Sequence, residues 1–139
     1  MAFVLDASVV LAWLLPDERS DLARQLVARA VHERPRAPSL LLFEVGNALL
    51  QAERRTRLRR ATRLELLDAF TALPITIEPV AAETILRASE LAASHSLTLY
   101  DACYLELAIS RACSLASFDD SLCKAARAEA VIVLGDRPA

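Results

Sequence analysis

The sequence predicts a single α/β domain, a three-layer α/β/α sandwich on a short parallel sheet, and three observations lead there. Short apolar runs alternate along the chain with longer stretches of helical periodicity, the pattern of strands joined by crossover helices. Several of those runs stop on an acidic or hydroxyl residue, as buried parallel strands do at a polar turn. The length of 139 residues, 55% of them hydrophobic, supplies one core but not two, so positions 1–139 are expected to form one domain.

Ala2 to Leu5 is short and apolar and runs into Asp6, Ala7 and Ser8, which fits a first strand and its turn. Val9, Val10, Trp13 and Leu14 then follow helical spacing as far as Pro16, and Leu22, Leu26, Val27 and Val31 mark a second amphipathic helix. Arg34 to Pro38 leaves room for a strand of two or three residues. Ser39 is placed to cap a helix running to about Arg55. Another helix fits Ala61 to Leu73, ended by Pro74, followed by a short strand at Ile75 to Glu78. Helices from Val80 to about His95 and from Thr98 to Arg111 come next, then a strand at Ser114 to Ser117, a helix from Asp119 to Ala128 and a last strand at Val131 to Leu134. Crossovers between parallel strands are right-handed, and ligands of such sheets bind beyond the carboxyl ends of the strands.

Composition excludes several classes. No apolar run approaches the roughly 20 residues of a membrane span, and the opening FVLDASVVLAWLLPDE has an Asp within its apolar stretch and no basic start, unlike a secretory signal. A cytoplasmic protein without a membrane partner is expected. Cys103, Cys113 and Cys123 lack metal-site spacing and read as core thiols. The net charge of −2 argues against indiscriminate binding of nucleic acid over the whole surface but leaves room for a local basic patch.

Four acidic residues carry the chemistry: Asp6 after FVL, Glu44 within LLLFEV, Asp101 within LTLYDACYLEL, and Asp119 after SLASF. Structural roles are open to three of them: Asp6 in a turn, Asp101 in a capping box with Thr98, Asp119 as an N-cap. Glu44 is flanked by Leu40 to Phe43 and Val45, and a buried carboxylate needs a partner or a proton; Asn47, one turn on, shares its face. Gly46 weakens the helix interior, either for a packing contact or for something that approaches the backbone. The topology brings Asp6, Asp101 and Asp119 to one end of the sheet. Carboxylates gathered there repel unless a cation joins them, and oxygen ligands favour Mg2+ or Mn2+ over zinc. Such ions activate water and stabilise a phosphoryl group under in-line attack. No other nucleophile competes, because Ser8 and the cysteines have no histidine nearby and His32 and His95 fall on helix surfaces.

With these residues in place, the chain resembles the PIN-domain proteins, and among them the VapC-type toxins, over essentially its whole length. Four strings in order carry the resemblance: LDASV with Asp6 and Ser8, FEVGNAL with Glu44 and Asn47, LTLYDACYLELA with Asp101, and LASFDDSLCKAA with Ser117 and Asp119. The resemblance implies a PIN-like fold and a Mg2+- or Mn2+-dependent endoribonuclease acting on RNA, commonly a homodimer, neutralised by a cognate antitoxin. Asp6, Glu44, Asp101 and Asp119 would form its acidic metal site, with Ser8, Asn47 and Ser117 in support. Asp120 competes with Asp119 for the fourth place, and register with SLASF favours Asp119. Of Tyr100 and Tyr104, one could stack on a base, the other reading being core packing. Arg54, Arg55, Arg57, Arg59, Arg60 and Arg63 either solvate a helix end or grip RNA phosphate or an acidic antitoxin segment. The rival functions are a catalytically silent binding module on the same fold and a DNA-directed metal nuclease. A phosphoacceptor receiver is disfavoured because the one lysine, Lys124, sits in a predicted helix.

Overall fold

The chain runs β1 (Phe3–Leu5), α1 (Ala7–Leu14), α2 (Ser20–Glu33), β2 (Arg36–Pro38), α3 (Leu40–Arg54), α4 (Arg60–Thr71), β3 (Thr76–Glu78), α5 (Ala82–His95), α6 (Leu99–Ser110), β4 (Ser114–Ala116), α7 (Asp120–Ala128) and β5 (Val133–Leu134) in a computed structural model that describes residues 2–15 and 20–135. Pro16, expected to end the first helix, lies outside the described residues; α1 ends at Leu14. The strands form one all-parallel sheet in the order β3-β2-β1-β4-β5. Two crossovers step outward from β1 to β3, and two step the other way through β4 to β5. Right-handed connection therefore puts α1 to α4 on one face and α5 to α7 on the other, as the packing of α1 against α2 and α3, and of α6 against α5 and α7, agrees. The chain direction switches at β1, between β2 and β4, and there the strand ends open a crevice.

Burial follows that order. All residues of β1 and β4 are buried, whereas the edge strands β3 and β5 are only partly covered, so the central strands need apolar side chains on both faces. Leu41, Val45 and Leu49 of α3 meet Phe3, Leu5, Val9, Val10 and Leu115 in one cluster, and Ala88, Ala102 and Cys103 form a smaller one between α5 and α6. Cys103 and Cys123 are core thiols as expected, while Cys113 is half-buried.

Three expectations need correction. Val31, assigned to the apolar face of α2, is exposed, because Ala23, Leu26, Val27 and Ala30 make that face instead. Ser39 stands at the N-cap of α3, but its backbone is already helical and its hydroxyl accepts from the Val80 N–H at 3.3 Å, tying α3 to the start of α5 rather than capping α3. The last strand is shorter than expected, since Val131 turns into the core and Ile132 faces solvent, although the Ile132 carbonyl still accepts from the Leu115 N–H at 2.8 Å.

α6 is buried from Ala102 through Ala108 and so lacks an amphipathic pattern. Its two polar residues in that stretch, Tyr104 and Glu106, must find partners. Glu106 takes the Arg87 guanidinium of α5 at 2.9 Å. Arg87→Ala is expected to lower stability by about 1–3 kcal/mol, since it strands a buried carboxylate, and adding Glu106→Gln should recover most of the loss; urea denaturation of the three variants measures both.

Candidate metal-binding acidic site

The crevice at the switch point is built around Asp6, the residue that follows β1. Its backbone N–H donates to the Ala116 carbonyl at 3.0 Å, which extends the β1–β4 ladder by one rung and holds Asp6 at the mouth of the sheet. The side chain is 4% exposed. Two hydroxyls converge on its Oδ2: Ser8 at 2.6 Å, from the first turn of α1, and Ser117 at 2.7 Å, from the end of β4. These hydroxyls are themselves held, because Phe118 N–H donates to Ser8 Oγ at 2.9 Å and Asp119 N–H to Ser117 Oγ at 3.0 Å. Both serine hydroxyls are thereby engaged with the Asp6 carboxyl.

Glu44 reaches the same crevice from the second turn of α3, and its partner is not the residue that helical spacing suggested. Asn47 is exposed and makes no side-chain hydrogen bond among the described residues, whereas the Tyr104 hydroxyl donates to Glu44 Oε1 at 2.5 Å. Sequence reasoning missed Tyr104 in this role. The available signal was a phenol inside the apolar run of a buried helix, where its hydroxyl must be paired. Leu42 and Phe43, expected to enclose Glu44, are exposed; Leu41 and Val45 point inward instead. Gly46 has open space where a Cβ would stand, so no described part of this chain packs on it.

Asp101 lies in the first turn of α6, where Thr98 Oγ1 accepts from its backbone N–H at 3.1 Å. The capping bond forms, and the Asp101 carboxyl, which the Thr98 hydroxyl also engages, stays within electrostatic reach of Asp6 and Asp119. Asp119 is likewise the N-cap of α7, its Oδ1 accepting from Leu122 N–H at 2.8 Å. Asp119 acts electrostatically on both Asp6 and Asp101, whereas Asp120 is exposed on the first turn of α7. The geometry thus sets Asp119, not Asp120, toward the crevice.

Proton affinities report how the acids crowd one another. Burial raises the Asp6 carboxyl above its usual range, Ser8 and Ser117 oppose that rise, and Asp119 adds to it. Burial also raises Glu44; the Tyr104 hydroxyl works against the rise, while Asp6 and Asp101 reinforce it. Asp101 is pushed up to about 6 by burial, then by Asp6 and Asp119, with Thr98 pulling the other way. Tyr104 is held far above the ordinary phenol range by burial and by the charges of Asp6 and Glu44, so it stays a donor. The groups acting on these carboxyls are hydroxyls, backbone N–H groups and other carboxylates.

Among the described residues no group of three or more Asp, Glu, His or Cys side chains is arranged to hold a metal ion by itself. The chemistry of the donors still fits a hard divalent cation. Mg2+ is commonly bound through one or two carboxylates and completes its shell with water, and a cation would relieve the mutual repulsion that raises Asp6, Glu44 and Asp101. Beside the acids runs an open cleft of about 670 Å3, lined by Leu42, Phe43, Glu44, Asn47, Leu50 and Tyr100. The two tyrosines divide: Tyr104 is fully buried, and Tyr100 is 64% exposed along this cleft. His32 is exposed, and His95 sits at 2.8 Å from Glu129.

The family profile described as PIN domain matches residues 3–128. Among curated proteins the chain is similar to ribonuclease VapC3 of Pyrobaculum aerophilum, 37% identical over 112 residues, 78% of this chain and 82% of that protein. It is also similar to ribonuclease VapC9 of Mycobacterium tuberculosis, 34% identical over 134 residues, 96% of this chain and 98% of that protein. Among solved structures, VapBC2 of Rickettsia felis, bound to a DNA fragment from their promoter, shares the fold with a TM-score of 0.70 at 16% identity, covering 96% of this chain and 97% of that one.

Two outcomes test the electrostatics of the acids. Tyr104→Phe, which removes one hydroxyl at nearly constant shape, is expected to raise the Glu44 carboxyl further, because the absent donor favoured the ionised form; carboxyl carbon NMR titration reads the direction. Asp101 holds its proton more tightly folded than unfolded, so its contribution to stability is present below the ordinary value of 3.8 and is lost as pH rises through about 6. The metal-free parent should therefore lose melting temperature across that window, and Asp101→Asn should flatten the fall. If Asp101→Asn instead melts several degrees lower at acid pH, its carboxyl serves chiefly the cap of α6.

Proposed function

Because the chain belongs to the PIN-domain family, within it to the VapC type, we propose that it is a Mg2+- or Mn2+-dependent endoribonuclease and the toxin half of a toxin–antitoxin pair. The observation that carries this reading is Asp6, buried at the switch point and fixed by two hydroxyls, with Glu44 and Asp101 raised beside it. Its curated relatives are named as ribonucleases, and the described helices include none long and apolar enough to cross a membrane, in keeping with action in the cytoplasm.

The cation would sit among Asp6, Glu44, Asp101 and Asp119, bound directly by one or two of them, and would supply a lowered pKa for bound water and charge stabilisation on the phosphoryl group. The chain's own residues prepare that site. Ser8 and Ser117 fix the Asp6 carboxylate so that it needs no rearrangement on binding. Tyr104 performs the same service for Glu44, and Asp119 keeps one oxygen on the Leu122 N–H, which anchors its other oxygen at the end of α7. Asp101, half-protonated near pH 6, gives up that proton on loading, so cation affinity should climb with pH through that value. The serine hydroxyls are occupied in holding Asp6 and are not offered as nucleophiles, and a cation-bound water would serve in their place.

Tyr100, exposed beside Glu44, presents a flat ring on which an unstacked base can rest. The apolar side chains around it, Phe43 above all at 76% exposure, suit cover by a protein, which we assign to a cognate antitoxin. A homodimer completes the proposal, read by light scattering.

The test is incubation of purified protein with structured RNA and, separately, with DNA, in Mn2+ and in EDTA. Cleavage of RNA in Mn2+ alone is expected, and Asp6→Asn and Asp101→Asn should each lower it by at least about a hundredfold. Cutting that persists in EDTA sinks the metal reading, and DNA cut as readily as RNA makes the protein a general nuclease. Mn2+ should also raise the melting temperature of the parent more than that of Asp101→Asn.

A further inference from the structure

The turn between α3 and α4 concentrates six arginines between positions 54 and 63, and only one is spoken for: Arg63 meets Glu53 at 2.5 Å. Arg54, Arg55, Arg57, Arg59 and Arg60 are exposed, and no described side chain pairs with them. We propose that this patch is a track for the sugar–phosphate backbone of single-stranded RNA, which runs along α3 from the acidic centre to the α3–α4 turn. The inference rests on the ribonuclease reading and extends it by giving the substrate strand a direction on the protein.

Helical spacing makes the connection. Asn47, Gln51, Arg54 and Arg55 follow Glu44 at intervals of three and four residues, so one face of α3 carries the acid at one end and guanidinium groups at the other. Ten residues at 1.5 Å rise put Arg54 about 15 Å beyond Glu44 along the axis. Glu44, Asn47, Gln51, Arg54 and Arg55 are polar and at least partly exposed, with the small Ala48 between them. A strand cut at the acids can therefore follow a polar line along the helix, beside the cleft that Leu42, Phe43, Leu50 and Tyr100 border.

The turn holds the arginines in place. Arg57 N–H donates to the Ala52 carbonyl and Thr56 N–H to the Glu53 carbonyl, both at 2.9 Å, with Thr56 left-handed at φ 58°. That is a Schellman ending. Leu58 tucks against the core beneath it.

Fold stability explains only half of the patch. Arg54 and Arg55 suit the negative end of α3, and Arg63 has Glu53, but Arg59 and Arg60 stand at the positive end of α4, where cations are unfavourable. Arg59 caps α4 without any side-chain bond, and no acidic residue occupies the first turn. Like charges kept where they oppose the helix dipole imply an anionic ligand. No large apolar side chain is exposed from position 54 to 61, whereas protein interfaces need an apolar centre; a phosphate backbone does not.

The experiment measures fluorescence anisotropy of a fluorescein-labelled, unstructured single-stranded RNA across a salt series, with Asp101→Asn as the background so that no cleavage intervenes. Replacing Arg54, Arg55, Arg59 and Arg60 with alanine should reduce the slope of log affinity against log salt by roughly 0.7 for each phosphate that is no longer neutralised. In the cleavage-competent protein the same change should raise KM for a long RNA by about tenfold or more, with kcat moved far less. Lysine at the four positions should keep most of the slope, because phosphate accepts a point charge. The alanine variant should melt no lower than its parent, so that weaker binding is not unfolding. An unchanged slope and KM overturn the proposal. So does a loss confined to a polyglutamate peptide, which assigns the patch to an acidic protein. A parent that fails to cut RNA in Mn2+ defeats the ribonuclease reading alone, since the binding series needs no cleavage and still judges the track.

Discussion

A carboxylate removed from water must take up a proton, find a cation or be surrounded by donors, and Asp6 is surrounded by donors. Its Oδ2 accepts from Ser8 and from Ser117, residues 109 positions apart. That single acceptor fixes β1 against β4, sets the start of α1, and through the Asp119 and Phe118 N–H groups shapes the entry to α7. Glu44, Asp101 and Asp119 then take their places relative to a charge that cannot move. The topology makes this possible, because the crossovers on either side of β1 step in opposite directions and the strand ends part there.

Much of this was legible in the sequence because strong local rules point the same way. A short apolar run that stops at an acid or a hydroxyl reads as a buried strand with the polar residue at its end, and β1, which stops at Asp6, and β4, which stops at Ser117, obey that rule. Thr98 three residues before Asp101, and Asp119 three before Leu122, announce helix starts through capping geometry, and both caps form. Capping and a place in the acidic cluster proved compatible: a cap uses the backbone N–H of Asp101 and one oxygen of Asp119.

What stayed hidden depends on pairing across the fold. Glu44 announces that it needs a partner, but sequence spacing offers only neighbours on its own helix, and Asn47 is the nearest. Tyr104 lies on α6, across the top of the sheet, and nothing local links the two. The same holds for Glu106, whose partner Arg87 comes from α5, and for Ser39, whose hydroxyl leaves its own helix for Val80. Val31 failed for a different reason: alanines at positions 23 and 30 supply enough small apolar surface for α2 to rotate its face away from the larger valine. Hydropathy weights side-chain size, whereas close packing of a helix over a sheet rewards fit.

The cluster also sets stability against function within one set of side chains. Asp6, Glu44 and Asp101 each hold protons more tightly than isolated carboxyls do, so their charged forms weigh on the metal-free fold near neutral pH. Selection for stability alone would replace one of them with an amide or an apolar residue. The strain is tolerable because the cost falls on a framework that is otherwise well satisfied: no described buried side-chain nitrogen or oxygen lacks a hydrogen-bond partner, and the central strands are sealed on both faces. An accumulation of like charge inside a fold whose other described buried polar side chains are all paired is therefore a specific feature of the switch point. The arginines at the start of α4 repeat that logic with the opposite sign. Each set is unfavourable to the isolated chain: the carboxyls are raised by burial and by one another, and Arg59 and Arg60 oppose the dipole of α4. On the proposed ribonuclease reading, a phosphodiester strand with its counterion would bring both charges to the protein together, meeting the acids beside α3 and the arginines of the α3–α4 turn in a single binding event.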